Sequence, residues 1–348
     1  ATPLYSAAAS DVYKRQADTR CRQHRPSRQG IDRNAEWLAH RNRRVSKVLT
    51  MKSATVFEEI RGEIRFGESM AKHTSWRVGG PADYWFVPED RTDLAAFLAV
   101  LPEDVPLLWT GLGSNLLVRD GGIRGAVICT HQGLSSINTT TISEVTAGAG
   151  VACAKVARYS ARAGLSGAEF MAGIPGTVGG ALAMNAGAYG GETWNFVNRV
   201  EVLGRDGRLE IRTRAEFRAG YRSVSLVENE WFTGAVFRLS PGDPVTVKEM
   251  IRTVLNDRSR SQPIGNASAG SVFRNPADDH AARLIESAGL KGRRVGGAMV
   301  SSKHANFIIN DQGASAADIE QLILLVQTEV LKKFRIELRP EVKIEGVA

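Results

Sequence analysis

Glycine is concentrated in two stretches of this chain that no regular helix or strand could carry. Thr110-Gly-Leu-Gly-Ser-Asn115 directly follows an apolar run, and Gly173-Ile-Pro-Gly-Thr-Val-Gly-Gly180 leads on to Asn185-Ala-Gly-Ala-Tyr-Gly-Gly191. Lacking Cβ atoms, such segments let backbone N–H groups converge on an anion such as a pyrophosphate. The Rossmann fingerprint is broken, because Gly111 and Gly113 are followed by Leu116 where the third glycine belongs. No Gly-Lys-Ser/Thr follows either segment, so a P-loop is excluded as well. A dinucleotide held here needs another loop geometry, and spacing alone leaves a phosphate cradle and a set of tight turns equally open.

At 348 residues, 43% apolar and 24% charged, the chain has material for two or three folded domains. Its purest apolar run, Leu322 to Val326, is far too short to cross a bilayer, so no membrane insertion is expected. Cys21, Cys129 and Cys153 form no CxxC pair, which disfavours zinc ribbons and disulfide scaffolds; no second His lies at metal-ligand spacing from His304, so no metal is expected. The net charge of +8 is not evenly spread. Residues 1–50 hold 11 Lys and Arg against 4 Asp and Glu, while the rest holds 34 against 33. The patterned body therefore lacks the basic face that nucleic-acid binding requires.

The first fifty residues show no sustained period and no apolar core of a signal peptide. A disordered or artefactual extension is the plain reading, with translation starting at Met51; an Arg-rich targeting stretch or a nucleic-acid-binding arm are the alternatives. Further on, Phe57–Phe66, Asp83–Val87, Pro106–Trp109, Leu116–Val118, Ala126–Thr130 and Glu144–Ala149 read as strands. Thr92–Val100 and 152–163 read as helices, and Gly204-Arg205-Asp206-Gly207 as a hairpin turn. After a Pro/Gly break at 241–244, Val247, Met250, Ile251, Val254 and Leu255 form a helical stripe. Ser315-Ala-Ala-Asp318 resembles a capping box ahead of a second stripe through Ile319, Leu322, Ile323, Val326 and Val330. The class is mixed α+β. The expected divisions are an extension (1–50), two subdomains (51–110 and 111–242), a further domain (243–336) and a closing segment (337–348).

Seven stretches, in order, resemble one enzyme family: UDP-N-acetylenolpyruvoylglucosamine reductase (MurB). They are HTSWRVGGPA (His73–Ala82), GSNLLVRDGG (Gly113–Gly122), EFMAGIPGTVGGALAMNAGAYG (Glu169–Gly190), Gly220-Tyr-Arg-Ser-Val224, AGSVFRNP (Ala269–Pro276), LKGRRVGGAMVSSKHANFIIN (Leu290–Asn310) and PEVKIEG (Pro340–Gly346). The short interval between Arg222 and Ser271 resembles the subclass lacking the long tyrosine-bearing loop, and Leu112 stands where many members carry glycine. The resemblance implies a three-domain flavoprotein whose first two domains hold FAD non-covalently, in a p-cresol methylhydroxylase-type fold over about 77–242. A C-terminal α+β substrate domain would close over the site. Cofactor contacts implied are Arg77, Gly79, Gly111, Gly113, Ser114, Asn115, Ile174, Pro175, Gly176, Gly179, Gly180, Asn185 and Gly187. The implied reaction is NADPH-dependent reduction of UDP-N-acetylglucosamine enolpyruvate to UDP-N-acetylmuramate, for peptidoglycan synthesis in the bacterial cytoplasm, by a monomer.

Hydride addition to C3 of the enolpyruvyl group pushes charge towards its carboxylate, and C2 then needs a proton. Arg222, permanently charged and able to grip a carboxylate through two N–H groups, matches the stabilising cation. Glu341, kept protonated in an enclosed site, could donate to the same developing charge. Ser271 matches the proton donor; an isolated serine after glycine would otherwise be read as a backbone cap. Tyr221, Asn275, Lys291, Arg294, His304 and Asn306 are implied substrate contacts, although a basic turn at 291–294 is also what a solvated surface looks like. A related flavin oxidase, tethering its cofactor through His73, His131, Cys129 or Cys153, is the competing expectation. A nucleic-acid-binding module carried by residues 1–50 is a second one, from a different class.

Overall fold

The structure is a computed structural model and describes residues 57–348; the expected extension at 1–50 lies outside them. Glu59–Ala348 forms one compact unit. Its first sheet has the order Glu63–Ser69, Pro81–Val87, Ile123–Cys129, Leu107–Thr110, with the first pair antiparallel and the others parallel. Pro81–Val87 buries Ala82 and Phe86 on one face and Trp85 and Val87 on the other, so its second half, Tyr84–Val87, does not alternate apolar with polar. Helix Arg91–Val100 is capped by Asp90, whose carboxylate accepts from the amide of Asp93, and it stacks Phe97 on Phe86 with ring centroids 4.0 Å apart. The strand expected from Phe57 begins only at Glu63. The amides of Arg61 and Gly62 donate instead to the carboxylate of Asp93, at 2.7 and 2.9 Å, so that stretch is a turn.

The second sheet is antiparallel throughout, in the order Leu209–Thr213, Val197–Gly204, Glu230–Arg238, Glu144–Gly148, Ile137–Thr141. The Asp-Gly turn forms as expected: Gly207 has φ +79°, and Gly204 and Arg208 close the hairpin at 2.9 Å. Helices Cys153–Arg162 and Val178–Met184 bury Val156, Ala157, Ala181 and Leu182 in the core that this sheet shares. The third sheet runs Ala267–Ser268, Ile308–Asn310, Ala298–Val300, Arg294–Val295, covered by helix Ala316–Phe334. All five stripe positions of that helix are buried, and the Ser315–Asp318 capping box is formed.

Packing crosses two of the expected domain divisions, at 110 and at 242. A boundary at 110 cuts the first sheet, because Ile123–Cys129 lies between two of its other strands. Helix Pro244–Ser261 buries Val247 and Ile251 in the second core, leaving Met250 and Leu255 exposed, so it belongs with the middle unit. Trp76 and Val78 from the expected first subdomain and Leu117 from the second join the core of the third sheet and its helix. The closing strand Lys343–Glu345 pairs in parallel with Leu116–Val118, the strand that directly follows the first glycine-rich loop. Every element just named lies within Glu59–Ala348, so removal of residues 1–50 is expected to leave melting temperature and cofactor content unchanged. Thermal scans and absorbance ratios of the shortened chain would check this, and a large loss of either would refute it. Among the described residues, no helix is long and apolar enough to cross a membrane.

Candidate active site

The two glycine-rich loops meet across a cavity of about 470 Å³. Their approach explains two of the glycines. A Cβ on Gly111 would lie 2.2 Å from Oγ1 of Thr177 in the opposite loop, and Gly113, at φ +59°, would drive one to 2.0 Å from the carbonyl of His73. Glycine is therefore needed partly for loop-on-loop contact and not only for a ligand. The amides of Leu112, Gly113, Ser114, Gly176 and Gly180 have no acceptor among the described residues, and all five residues line the cavity. Converging free N–H groups beside the apolar Ile174, Met184 and Phe307 fit an elongated dinucleotide with a diphosphate at its waist. A neighbouring cavity of about 550 Å³ shares Ser114, Pro175, Gln262, Gly270 and Phe307 with the first, and adds Lys72, Arg77 and Arg258.

Arg222, Ser271 and Glu341 all line the first cavity, although they come from three distant parts of the chain. Arg222 sits at φ +51°, a left-handed conformation that costs a side chain energy and is held by its surroundings. Its Nε donates to Oε1 of Glu341 at 2.8 Å and its Nη2 to the carbonyl of Gly187 at 3.2 Å. Burial pushes the Glu341 carboxyl above its ordinary value, while Arg222 and Arg274 pull it back. The Glu341 amide donates to the Val272 carbonyl at 2.7 Å, which places the carboxyl beside the segment carrying Ser271. Asn115 of the first glycine loop donates from Nδ2 to the Glu341 carbonyl at 3.2 Å and accepts from the Lys343 amide at 3.0 Å. No hydrogen bond joins the Ser271 hydroxyl to any described residue.

Of the expected cofactor contacts, Gly111, Gly113, Ser114, Asn115, Ile174, Pro175, Gly176, Gly180 and Gly187 line the cavity, and Arg77 lines its neighbour. Gly79, Gly179 and Asn185 line neither. Gly179 packs on Ala149, and Asn185 spends its amide on Glu192, Gly220 and Trp194 at 2.9–3.1 Å. None of the six expected substrate contacts lines either cavity. Lys291 pairs with Glu286 at 2.7 Å, and Arg294 with Asp311, so two of the basic-turn charges are answered within their own domain. The Tyr221 hydroxyl accepts from the Asn275 amide at 3.3 Å, and Asn275 in turn accepts from Ala281. Burial and the charge of Lys291 hold the His304 imidazole below its usual value, and its Nδ1 accepts from the Asn306 amide. Asn306 is buried, with both ends of its amide bound to Phe273.

Sequence reasoning overlooked Tyr189, Gln262, Phe307 and Lys343, which line the main cavity, and Arg274, whose buried Nε lacks a partner among the described residues. Tyr189 carries a signal in hindsight: between glycines, with φ +51°, it is where a tight turn presents a ring. The competing tethered-flavin expectation finds no anchor, since His73, His131, Cys129 and Cys153 line neither cavity. Burial pushes the Cys153 thiol up to about 12, which removes its nucleophilic form. No group of three or more metal-ligating side chains occurs among the described residues.

The comparisons with known proteins meet this geometry at both ends. A family model described as an FAD binding domain matches residues 82–212, and one described as the UDP-N-acetylenolpyruvoylglucosamine reductase C-terminal domain matches residues 262–345. The UDP-N-acetylenolpyruvoylglucosamine reductase of Alkalilimnicola ehrlichii is 57% identical over 287 residues, covering 82% of this chain and 96% of that protein. Its counterpart in Nitrosococcus oceani is 54% identical, with the same coverage. The crystal structure of the Thermus caldophilus enzyme superposes with a TM-score of 0.69 at 34% identity, over 82% of this chain and 98% of that one. The first two units thus form an FAD-binding region of the p-cresol methylhydroxylase type, with an α+β domain after it. Matched in its cofactor region, in its last domain and over most of its length, the chain belongs to the UDP-N-acetylenolpyruvoylglucosamine reductase family.

Proposed function

We propose that Arg222, Ser271 and Glu341 are the catalytic groups of this FAD-dependent UDP-N-acetylmuramate dehydrogenase. The enzyme uses NADPH to reduce the enolpyruvyl ether of UDP-N-acetylglucosamine enolpyruvate to the lactyl ether, a step of peptidoglycan precursor synthesis. The chemistry that FAD supplies when bound is hydride transfer, from NADPH to its N5 and on to C3 of the enolpyruvyl group. The observation carrying the assignment is the Arg222–Glu341 contact of 2.8 Å within the cavity that Ser271 also lines.

The residues around the cavity divide the work. The amides of 112–114 and of 176 and 180 would hold the cofactor diphosphate, with Asn115, Ile174, Pro175 and Gly187 lining the same wall. As charge moves onto the substrate carboxylate, the Arg222 guanidinium stabilises it, and protonated Glu341 adds a hydrogen bond to the same oxygens. Ser271 delivers the proton to C2. Arg77 and Arg258 in the adjoining cavity suit the diphosphates of the UDP-sugar and of NADPH, while Lys72 beside them is paired with Glu68 at 3.5 Å. Both ligands belong to the bacterial cytoplasm, where we place the enzyme; and because one chain supplies all three catalytic groups, we take the monomer as the working unit.

An anaerobic visible spectrum tests the whole assignment: NADPH should bleach the flavin, and the enolpyruvyl substrate should restore its colour. A protein that binds no FAD at all would refute it. Glu341 adds a pH dependence. A carboxyl whose pKa is raised by burial is protonated, and able to donate, below that raised value, and it loses this form as pH rises through it. Its contribution to stability has the same sign, fully present at low pH and lost across the same rise. Flavin reoxidation should therefore slow as pH rises, and Glu341→Gln, which keeps a donor at every pH, should flatten that limb. Stopped-flow reoxidation across pH decides the matter, and an identical limb in both proteins would exclude Glu341 as its source.

A further inference from the structure

Asn306 sits on the turn into strand Ile308–Asn310, where it is only 4% exposed. Its Oδ1 accepts from the Phe273 amide at 2.9 Å, and its Nδ2 donates to the Phe273 carbonyl at 2.8 Å. Its own carbonyl accepts from the Val272 amide at 2.9 Å. One residue thus bonds each of the three peptide groups that follow Ser271. On the opposite side the Val272 carbonyl accepts from the Glu341 amide at 2.7 Å, so the segment is pinned between Asn306 and Glu341. Immediately before Ser271 the chain has no comparable restraint. Gly270 adopts φ +71°, and nothing lies within 4 Å of where its Cβ would stand. The Ser271 hydroxyl is hydrogen-bonded to no described residue, so the hydrogen bonds that hold this stretch are those of the main chain at 272–273.

We infer that Asn306 is a positioning residue for proton delivery, fixing Ser271 through the backbone of residues 272–273; this rests on the assignment of Ser271 as the donor. The residue type follows from the geometry. A side chain must offer one donor and one acceptor, at asparagine length, to the N–H and C=O of a single residue. Aspartate keeps the acceptor but sets a carboxylate against the Phe273 carbonyl, and serine cannot span both groups. A direct role on substrate is unsupported, because both ends of the amide are bound to Phe273 and the residue lines neither cavity.

The experiment compares FAD-loaded Asn306→Asp, Asn306→Ser, Ser271→Ala and the double variant Ser271→Ala/Asn306→Asp in anaerobic half-reactions. Flavin reduction by NADPH should stay within about twofold of the parent, while reoxidation by the enolpyruvyl substrate slows about 10²-fold, the scale of a small misplacement. With Ser271 gone there is nothing left to position, so the double variant should reoxidise no more slowly than Ser271→Ala alone. Equal slowing of both half-reactions, multiplicative losses in the double variant, or loss of FAD from both Asn306 variants would overturn the inference. Failure of the underlying assignment is visible separately, as normal reoxidation in the Ser271→Ala single variant.

Discussion

Ser271→Ala should still let NADPH bleach the flavin at close to the parent rate, yet slow recovery of its colour by the enolpyruvyl substrate about 10³-fold, the usual scale for a positioned proton donor. The asymmetry follows from where the residue sits. Ser271 lines the cavity beside Glu341 and follows Gly270, whereas the loops offering amides to the cofactor are Gly111–Asn115 and Ile174–Gly180. Removing one hydroxyl therefore leaves cofactor binding alone. A serine is a weak acid, and it can serve only because C2 becomes strongly basic once hydride has reached C3. Rapid-mixing absorbance of each half-reaction measures the effect. Comparable slowing of both would place the hydroxyl in cofactor or NADPH handling instead.

Arg222→Ala should damage the same half-reaction, about 10²- to 10³-fold, through lost stabilisation of the developing charge. Arg222→Lys should rescue only part of it, because a point charge cannot grip a carboxylate through two N–H groups. A second consequence separates this variant from Ser271→Ala. Arg222 is the strongest influence opposing the burial of Glu341. Without it the carboxyl pKa rises further, and the alkaline limb of reoxidation should move to higher pH. A pH series on the alanine variant reads both effects at once; a limb that stays in place would mean that the two residues do not act on each other during turnover. FAD content should be retained, since the guanidinium contacts Glu341 and the Gly187 carbonyl and not the loops of free amides.

Much of this was legible in the chain itself. The stripe at 319–330 and its Ser315–Asp318 cap announced a helix because burial and local hydrogen bonding there follow a regular period. The turn at 204–207 was equally plain, since an Asp-Gly pair specifies its own backbone. The stripe at 247–255 misled, because periodicity shows that one face is buried but not against which core. Ligand contacts were harder still. Asn185 and Asn306 look like recognition residues in sequence, and the fold gives their amides partners within the protein, Glu192, Gly220 and Trp194 for the first and Phe273 for the second. Lys291 and Arg294 look like a phosphate clamp in sequence, and the fold pairs them with Glu286 and Asp311. Arg222, Ser271 and Glu341 could be brought together only by resemblance, because no local spacing encodes a meeting of three such distant segments.

Strand Leu116–Val118 is three residues long and wholly buried. At one end Asn115 holds the Glu341 carbonyl. At the other, Arg119 forms paired bonds to Glu320 at 2.7 and 2.8 Å, and the Asp120 carboxylate accepts the first two amides of helix Ala316–Phe334 at 3.0 Å. Inserting or deleting one residue between these ends would turn alternate side chains to the opposite face of the strand. Asn115 and Asp120 could then not both reach their partners, and the cofactor loop and the last domain would fall out of step. Its length is therefore the property this stretch can least afford to vary: apolar side chains there are exchangeable in principle, whereas the count between Asn115 and Asp120 is not.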